Sequence, residues 1–161
     1  MARIGSTGVL ELWYAATVTD KAAPAVGDLT SGINLTPFLT RDGLDTPLSG
    51  STMDVAGVDS RYNSTARGSY GGDPVTVTCF RDSDADIAYE TLTPETDGYL
   101  LVFRFGLAAE GVPAAGDMAE VWPIEVISRA PLSIADNQAQ RFTSQCSVPT
   151  PPVTDAVPLV A

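Results

Sequence analysis

Asp82, Asp84 and Asp86 are spaced like the first ligands of a calcium loop. The sixth position is Ile87, where the sharp turn needs Gly, and the twelfth is Thr93, where a bidentate Glu is needed. Helix capping is the better use for these acids. Cys79 as a nucleophile would need a base beside it, yet the 161-residue chain has no His. Alternation sets Cys79 with Val75 and Val77 on an apolar face, which is a packing role. The missing His also removes Ser-His-Asp triads and the commonest zinc ligand. Asp42 and Asp45 are paired carboxylates of the glycosidase type, but nothing in their spacing holds two acids across a sugar cleft.

Gly68, Gly71 and Gly72 suggest a phosphate cradle, but no Gly-Lys-Ser/Thr follows and no strand leads directly into a helix. They read as a turn. Asn34-Leu35-Thr36 and Asn63-Ser64-Thr65 match the glycosylation sequon, which has meaning only in a secreted protein. Residues 1–9 hold a single Arg and no apolar run of signal-peptide length, and Glu11 interrupts the next stretch, so neither export nor a membrane span is expected. Trp13, Trp122 and Tyr99 have the chemistry to stack on a sugar. Trp122 shares a face with Ile124 and Val126 and is expected in the core, whereas the face of Trp13 also carries Glu11.

Twenty acidic against nine basic side chains leave a net charge of -11, and with one Lys there is no basic patch to hold phosphates. The 44% of apolar residues is ample for the core of one domain. In an unexported, reducing setting, Cys79 and Cys146 are expected as two buried free thiols.

Period-two alternation predicts half-buried antiparallel strands over residues 9–18, 75–81 and 141–148. Residues 99–105 are apolar on both faces except for Arg104, which predicts a central strand. Residues 33–40 and 121–129 contain Pro37 and Pro123; neither can donate a ladder hydrogen bond, so both strands are expected at sheet edges. Ala85, Ala88, Tyr89 and Leu92 make one helical stripe over residues 84–93, with Ser83 and Asp86 at capping-box spacing. Residues 41–74 hold six Gly and few large apolar side chains, so they contain either a hairpin, with residues 51–55 as one arm, or a loop ordered only against another subunit. Four Pro after Val148 favour an extended C-terminal arm over a packed element.

Taken in order, these segments resemble the major tail protein of siphophages, the tail tube subunit, especially of phages infecting actinobacteria. The resemblance runs over most of the chain. It begins at Thr7-Gly8-Val9-Leu10 and continues through Asp42-Gly43-Leu44-Asp45 to Asp54-Val55-Ala56. It then takes in Gly71-Gly72, Cys79-Phe80-Arg81-Asp82 and the short acidic helix, and Gly98-Tyr99-Leu100-Leu101-Val102-Phe103-Arg104. It closes with Ala115-Gly116-Asp117, Glu120-Val121-Trp122-Pro123-Ile124 and Gln140-Arg141-Phe142. No single piece is a catalytic motif; the ordered set carries the likeness.

The resemblance implies a mainly β fold over residues 1–161: a two-sheet antiparallel β-sandwich or barrel-like tail tube domain. One short flanking helix, a long Gly-rich inter-subunit loop or hairpin at 41–74 and an extended arm at 149–161 complete it. It implies subunits joined into hexameric rings and stacked as a hollow tube in the virion tail, assembled in the host bacterial cytoplasm. The tape measure, tail terminator and baseplate proteins are the expected partners, and phage DNA the transiting cargo. It implies no enzymatic activity and no cofactor or metal. An acidic wall would repel passing phosphate, so Asp42, Asp45, Asp54 and Asp59 are candidates for the lumen or the ring-to-ring contact. Arg61 and Arg67 are candidates for charge-assisted contacts to a neighbour, or else solvated surface Arg. The competing function is a monomeric Ig-like or carbohydrate-binding β-sandwich using exposed aromatics.

Overall fold

Strand β1, Glu11–Ala15, is buried at every position because two separate cores meet on it. Leu12 and Tyr14 face one core; Trp13 and Ala15 face the other. The half-buried strand expected over residues 9–18 is therefore shorter and covered on both faces. The computed structural model of the chain describes residues 8–58, 61–62 and 64–161.

The remaining strands are β2 (Ile33–Asn34), β3 (Leu39–Asp45), β4 (Ser49–Asp54), β5 (Thr65–Gly71), β6 (Val75–Phe80), β7 (Asp97–Phe103), β8 (Met118–Pro131), β9 (Arg141–Ser147) and β10 (Val153–Pro158). Among the described residues one α-helix, α1, spans Ile87–Thr91. The main sheet is antiparallel in the order β2-β1-β7-β8-β9-β6-β3, with β10 added alongside β8, and β4 and β5 form a separate two-stranded sheet. The architecture is mainly β and sandwich-like, with one helix. Its two outermost strands, β2 and β3, are separated in the chain only by a 3₁₀ turn at Thr36–Phe38, so the sheet must curl until its edges approach.

The larger core fills that curl. Val75, Val77 and Cys79 of β6 meet Phe142 and Cys146 of β9, Leu100 and Val102 of β7, and Trp122, Ile124 and Val126 of β8. Ala88 and Leu92 from the helical segment close it. The smaller core lies on the other face of β1, β7 and β8, under Val18, Leu29 and Leu159. Strand β7 is thus central and doubly buried as its sequence predicts, and β6 and β9 show the expected one-faced burial.

Four expectations need correction. Strand β8 lies mid-sheet between β7 and β9, despite Pro123. The N–H of Val126 bonds to Thr96 O on the β7 side at 2.9 Å, so Pro123, three residues earlier, has its missing N–H on the opposite side. There β10 pairing reaches only to Val121 and β9 pairing starts at Glu125, so the Pro falls in the gap between two partners. Strand 33–40 is interrupted at Pro37, which sits in the first turn of the 3₁₀ segment, although β2 and β3 on either side of it are indeed the sheet edges.

The helix is five residues long and its N-cap, Asp86, makes no side-chain cap bond. The Asp86 carboxylate instead pairs with Arg81 and accepts the Asp82 N–H at 3.3 Å, while Asp82 accepts the Asp84 N–H at 3.0 Å. The alternating acids brace the loop before the helix, and the capping box is absent. The Pro-rich end is extended, but contrary to expectation it is a packed element: Val153 and Val157 pair with Val121 and Ala119, and Leu159 is buried.

Both thiols are free and buried, and burial pushes each pKa up to about 12. A raised thiol pKa favours the neutral form in the fold, so this contribution to stability is complete below the ordinary thiol value near 9 and is lost as pH rises toward 12. The native protein should show no thiol reacting with Ellman's reagent at pH 8 and two after denaturation. Fast native labelling of either would contradict the packing described.

Candidate assembly surface

Residues 41–74 begin in the body. Leu44 packs against the larger core and holds β3 to β6. The pairing shifts between Leu39 and Leu44, where a Cβ at Gly43 would run into Thr78 O, so only Gly fits the bulge. Asp42 and Asp45 flank that point on β3, and both are exposed. The root of the segment is tied down by Arg104, which donates to Glu120 at 2.5 Å and to Thr46 Oγ1 at 3.0 Å.

Beyond the root, β4 and β5 form a hairpin, registered from Ser49 opposite Gly71 to Asp54 opposite Thr65. This is the hairpin alternative for the segment, with residues 51–54 in one arm. Its register slips between Gly50 and Thr52, and Ser51 fills the slip by donating to Ser69 O at 2.9 Å. A Cβ at Gly68 would sit 2.8 Å from Ser51 O. Every residue of β4 is exposed, and no described hairpin residue belongs to either core. Met53, Val55, Val58, Tyr62 and Tyr70 are open to solvent. A two-stranded hairpin without a covered face is marginal in water by itself.

Asp54 ends β4 and accepts the Ala56 N–H at 2.9 Å; Arg67 lies on β5 opposite Thr52; Arg61 is exposed in the connecting tip. Asp59 and Asn63 lie outside the described residues. The fold therefore splits the candidate acids: Asp42 and Asp45 on an edge strand of the body, Asp54 on the hairpin. Among the described residues, no three carboxylates or thiols gather as metal ligands.

The basic side chains divide sharply. Arg81 and Arg129 both lie over the Tyr89 ring, 3.6 and 3.5 Å from its centroid; Arg81 also pairs with Asp86, and Arg129 donates to Tyr89 O. Arg141 donates to Gln138 at 3.1 Å, and Lys21 to Thr150 Oγ1 at 3.1 Å. Arg41, Arg61 and Arg67 have neither an ion pair nor a side-chain hydrogen bond among the described residues, whereas Lys21, Arg129 and Arg141 at least hold neutral acceptors. All three lie on the 41–74 segment. Sequence inspection singled out Arg61 and Arg67 and missed the Arg104–Glu120 tie, whose partners are sixteen residues apart with no local motif to mark them.

The aromatic candidates for sugar stacking do not form a platform. Trp122 is 2% exposed in the larger core and Trp13 9% in the smaller. Tyr99 is half-buried in the wall of an open groove of about 530 Å³, with Asp97, Glu125 and Pro149 nearby.

Against known proteins, a family model described as phage tail tube protein matches residues 1–161. Among solved structures, the chain is similar to one from the virion of a native gene transfer agent particle. The likeness covers 99% of this chain and 100% of that one with a TM-score of 0.53, and at 11% identity it speaks for the fold alone. No curated protein matches the chain in sequence.

Proposed function

The chain belongs to the phage tail tube protein family, and from that premise we propose that it is a single-domain subunit stacked as hexameric rings into the hollow tail tube through which DNA leaves the capsid. The observation that carries the reading further than family membership is the uncovered hairpin with its unspent Arg side chains. Rings repeated along an axis supply the missing cover, because each copy offers the same complementary surface to the next. Assembly would take place in the host bacterial cytoplasm, with tape measure, terminator and baseplate proteins bounding the tube.

Within the tube the protein's work is passive. With 20 acidic groups against nine basic ones, the wall repels a polyanion and lets it slide. No bond is made or broken in that task, and we assign no reaction to the chain. Asp42, Asp45, Asp54 and Asp59 remain the proposed lumen or inter-ring acids. Reversing Asp42 and Asp45 together to Lys should slow DNA ejection if they line the lumen, or block polymerisation if they lie between rings; normal growth and normal ejection would remove both from the assignment.

The test of the whole is negative-stain microscopy of the purified protein. Uniform hollow tubes with sixfold end-on averages are expected. Rings of another order would overturn the hexameric arrangement, and a glycan-binding monomer would favour the binding-module alternative, which has lost its two Trp platforms to the cores.

A further inference from the structure

Three carboxylates are buried among the described residues, and two of them are fully employed. Glu120 accepts from Arg104 and from Trp122 Nε1, and Asp117 accepts from the Ala108 and Ala114 N–H groups, one on each oxygen. Glu11 differs. It is 7% exposed, its Oε1 accepts only the Gly111 N–H at 3.2 Å, and its Oε2 is buried with no partner. A buried carboxylate oxygen without a donor is costly and rare.

Glu11 lines a surface hollow of about 370 Å³ together with Asn34, Thr36, Glu110 and Gly111. Among the described residues no basic side chain lines it, and Glu110 adds a second acid at its exposed rim. Thr36 is occupied with Leu12, and the Asn34 side-chain oxygen accepts from Thr36 N–H, so the Asn34 amide N–H groups are neutral donors beside Glu11 that do not reach its Oε2. The hollow is therefore acidic and concave, and among the described residues no cation balances its two carboxylates.

The chain also carries cations short of an acceptor, and all those among the described residues lie on the 41–74 segment. Arg61 lies in the connection beyond the far end of β4, whose six residues carry the chain roughly 20 Å from the hairpin root. A guanidinium matches a carboxylate in charge and in planar geometry. We propose that Arg61 of one copy enters the Glu11 hollow of an adjacent copy and pairs with the Glu11 carboxylate. A turn of that carboxylate about its terminal bond, which is a soft rotation, presents the free oxygen to the hollow. Glu110 at the rim steers the approach. The pairing rests on the assembly reading above and names the contact within it.

A double-mutant cycle tests it: Glu11→Gln, Arg61→Gln and the two combined, with the critical concentration for tube growth read by pelleting. Each single change should raise that concentration about tenfold, and the pair no further, because the second removes an interaction already lost. Glu11→Gln combined with Arg67→Gln should instead be additive. Effects of Glu11→Gln and Arg61→Gln that simply multiply would overturn the pairing, as would tubes indifferent to Arg61→Gln. An effect of Glu11→Gln that persists undiminished in the Arg61→Gln background would mean that another cation fills the hollow, and overturns it too. Arg61 is exposed, so its variant reads the contact even if Glu11→Gln proves unable to fold, which monomer melting would reveal. A wild-type chain that stays monomeric at every concentration and beside its tail partners would overturn the assembly reading itself, a result distinct from wild-type tubes that show no coupling.

Discussion

Replacing Ser49–Gly71 by a two-residue Asn-Gly turn is expected to abolish tube growth while moving the melting temperature by no more than about 2 °C. Fold stability should hardly notice the loss, because no residue of β4 or β5 lies in either core and every position of β4 is exposed. Surface changes of that kind are worth ~0.5 kcal/mol, and 1 kcal/mol moves the melting point of a chain this size by about 2–4 °C. The cut is geometrically mild as well. Ser49 and Gly71 are direct cross-strand partners, so the flanking Leu48 and Gly72 already lie close enough for a tight turn. Assembly should behave oppositely. Met53, Val55, Val58 and Tyr70 are exposed together on a hairpin that has no other use for them, and Arg61 and Arg67 add unpaired charge. Pelleting and microscopy of the shortened protein read the result. Tubes of normal length would show that the hairpin is not a subunit contact, and a melting point lower by 10 °C or more would show that it belongs to the fold.

The sequence reads most clearly where one face of a strand is buried and the other is not. In β6 and β9 the pairs Val75/Thr76 and Phe142/Thr143 alternate because a single core lies on one side, and the inward residues are those expected. Alternation misleads at β1, where Glu11 makes its face look open to solvent, yet Trp13 on that face lies in a second core completed by Leu29 and Leu159, remote in sequence, and Glu11 itself is buried beside Gly111. Pro123 misleads for a related reason. Its chemistry forbids one ladder bond on one side only, and the chain supplies a gap there by changing partners from β10 to β9. At the helix, local preference was overridden by a tertiary claim on the same group: Arg81, stacked over Tyr89, takes the Asp86 carboxylate that capping would have used. The candidate surface was half visible. Six Gly and few large apolar residues marked 41–74 as unusual, and Gly43 and Gly68 turn out to sit where backbone approaches too closely for any Cβ. That Glu11 is buried and short of a partner depends on the turn at Gly111, one hundred residues away, which no local pattern encodes.

The second large effect is expected at Gly98, a residue of β7 that registers with Ile124 on β8. The Tyr14 ring crosses directly over it: a Cβ built there would lie 2.5 Å from Cε2 and 2.7 Å from the hydroxyl oxygen. The ring reaches this position because its hydroxyl donates to Asp97 O at 2.8 Å, and the missing side chain at 98 is the space that reach requires. Burial, and then the charge of Asp97, hold the phenol pKa above its usual 10.0, so Tyr14 remains a donor at all ordinary pH values. By the same linkage its contribution is complete below pH 10 and declines above it. Gly98→Val forces a branched side chain into that ring. Overpacking of a tight core costs about 1–3 kcal/mol and the displaced hydrogen bond about 1 kcal/mol more. A loss near 3 kcal/mol is a large share of the ~5–15 kcal/mol that holds a domain together, and lowers the melting point by roughly 10 °C. Tyr14→Phe separates the two contributions, since it keeps the ring over Gly98 and removes only the hydrogen bond, for about 1 kcal/mol. It should also flatten the decline in stability above pH 10, leaving only that of the two thiols. Thermal melts of both variants decide the matter: Gly98→Val with an unchanged melting point would show that the ring has slack, and that β1 and β7 are not locked together at this crossing.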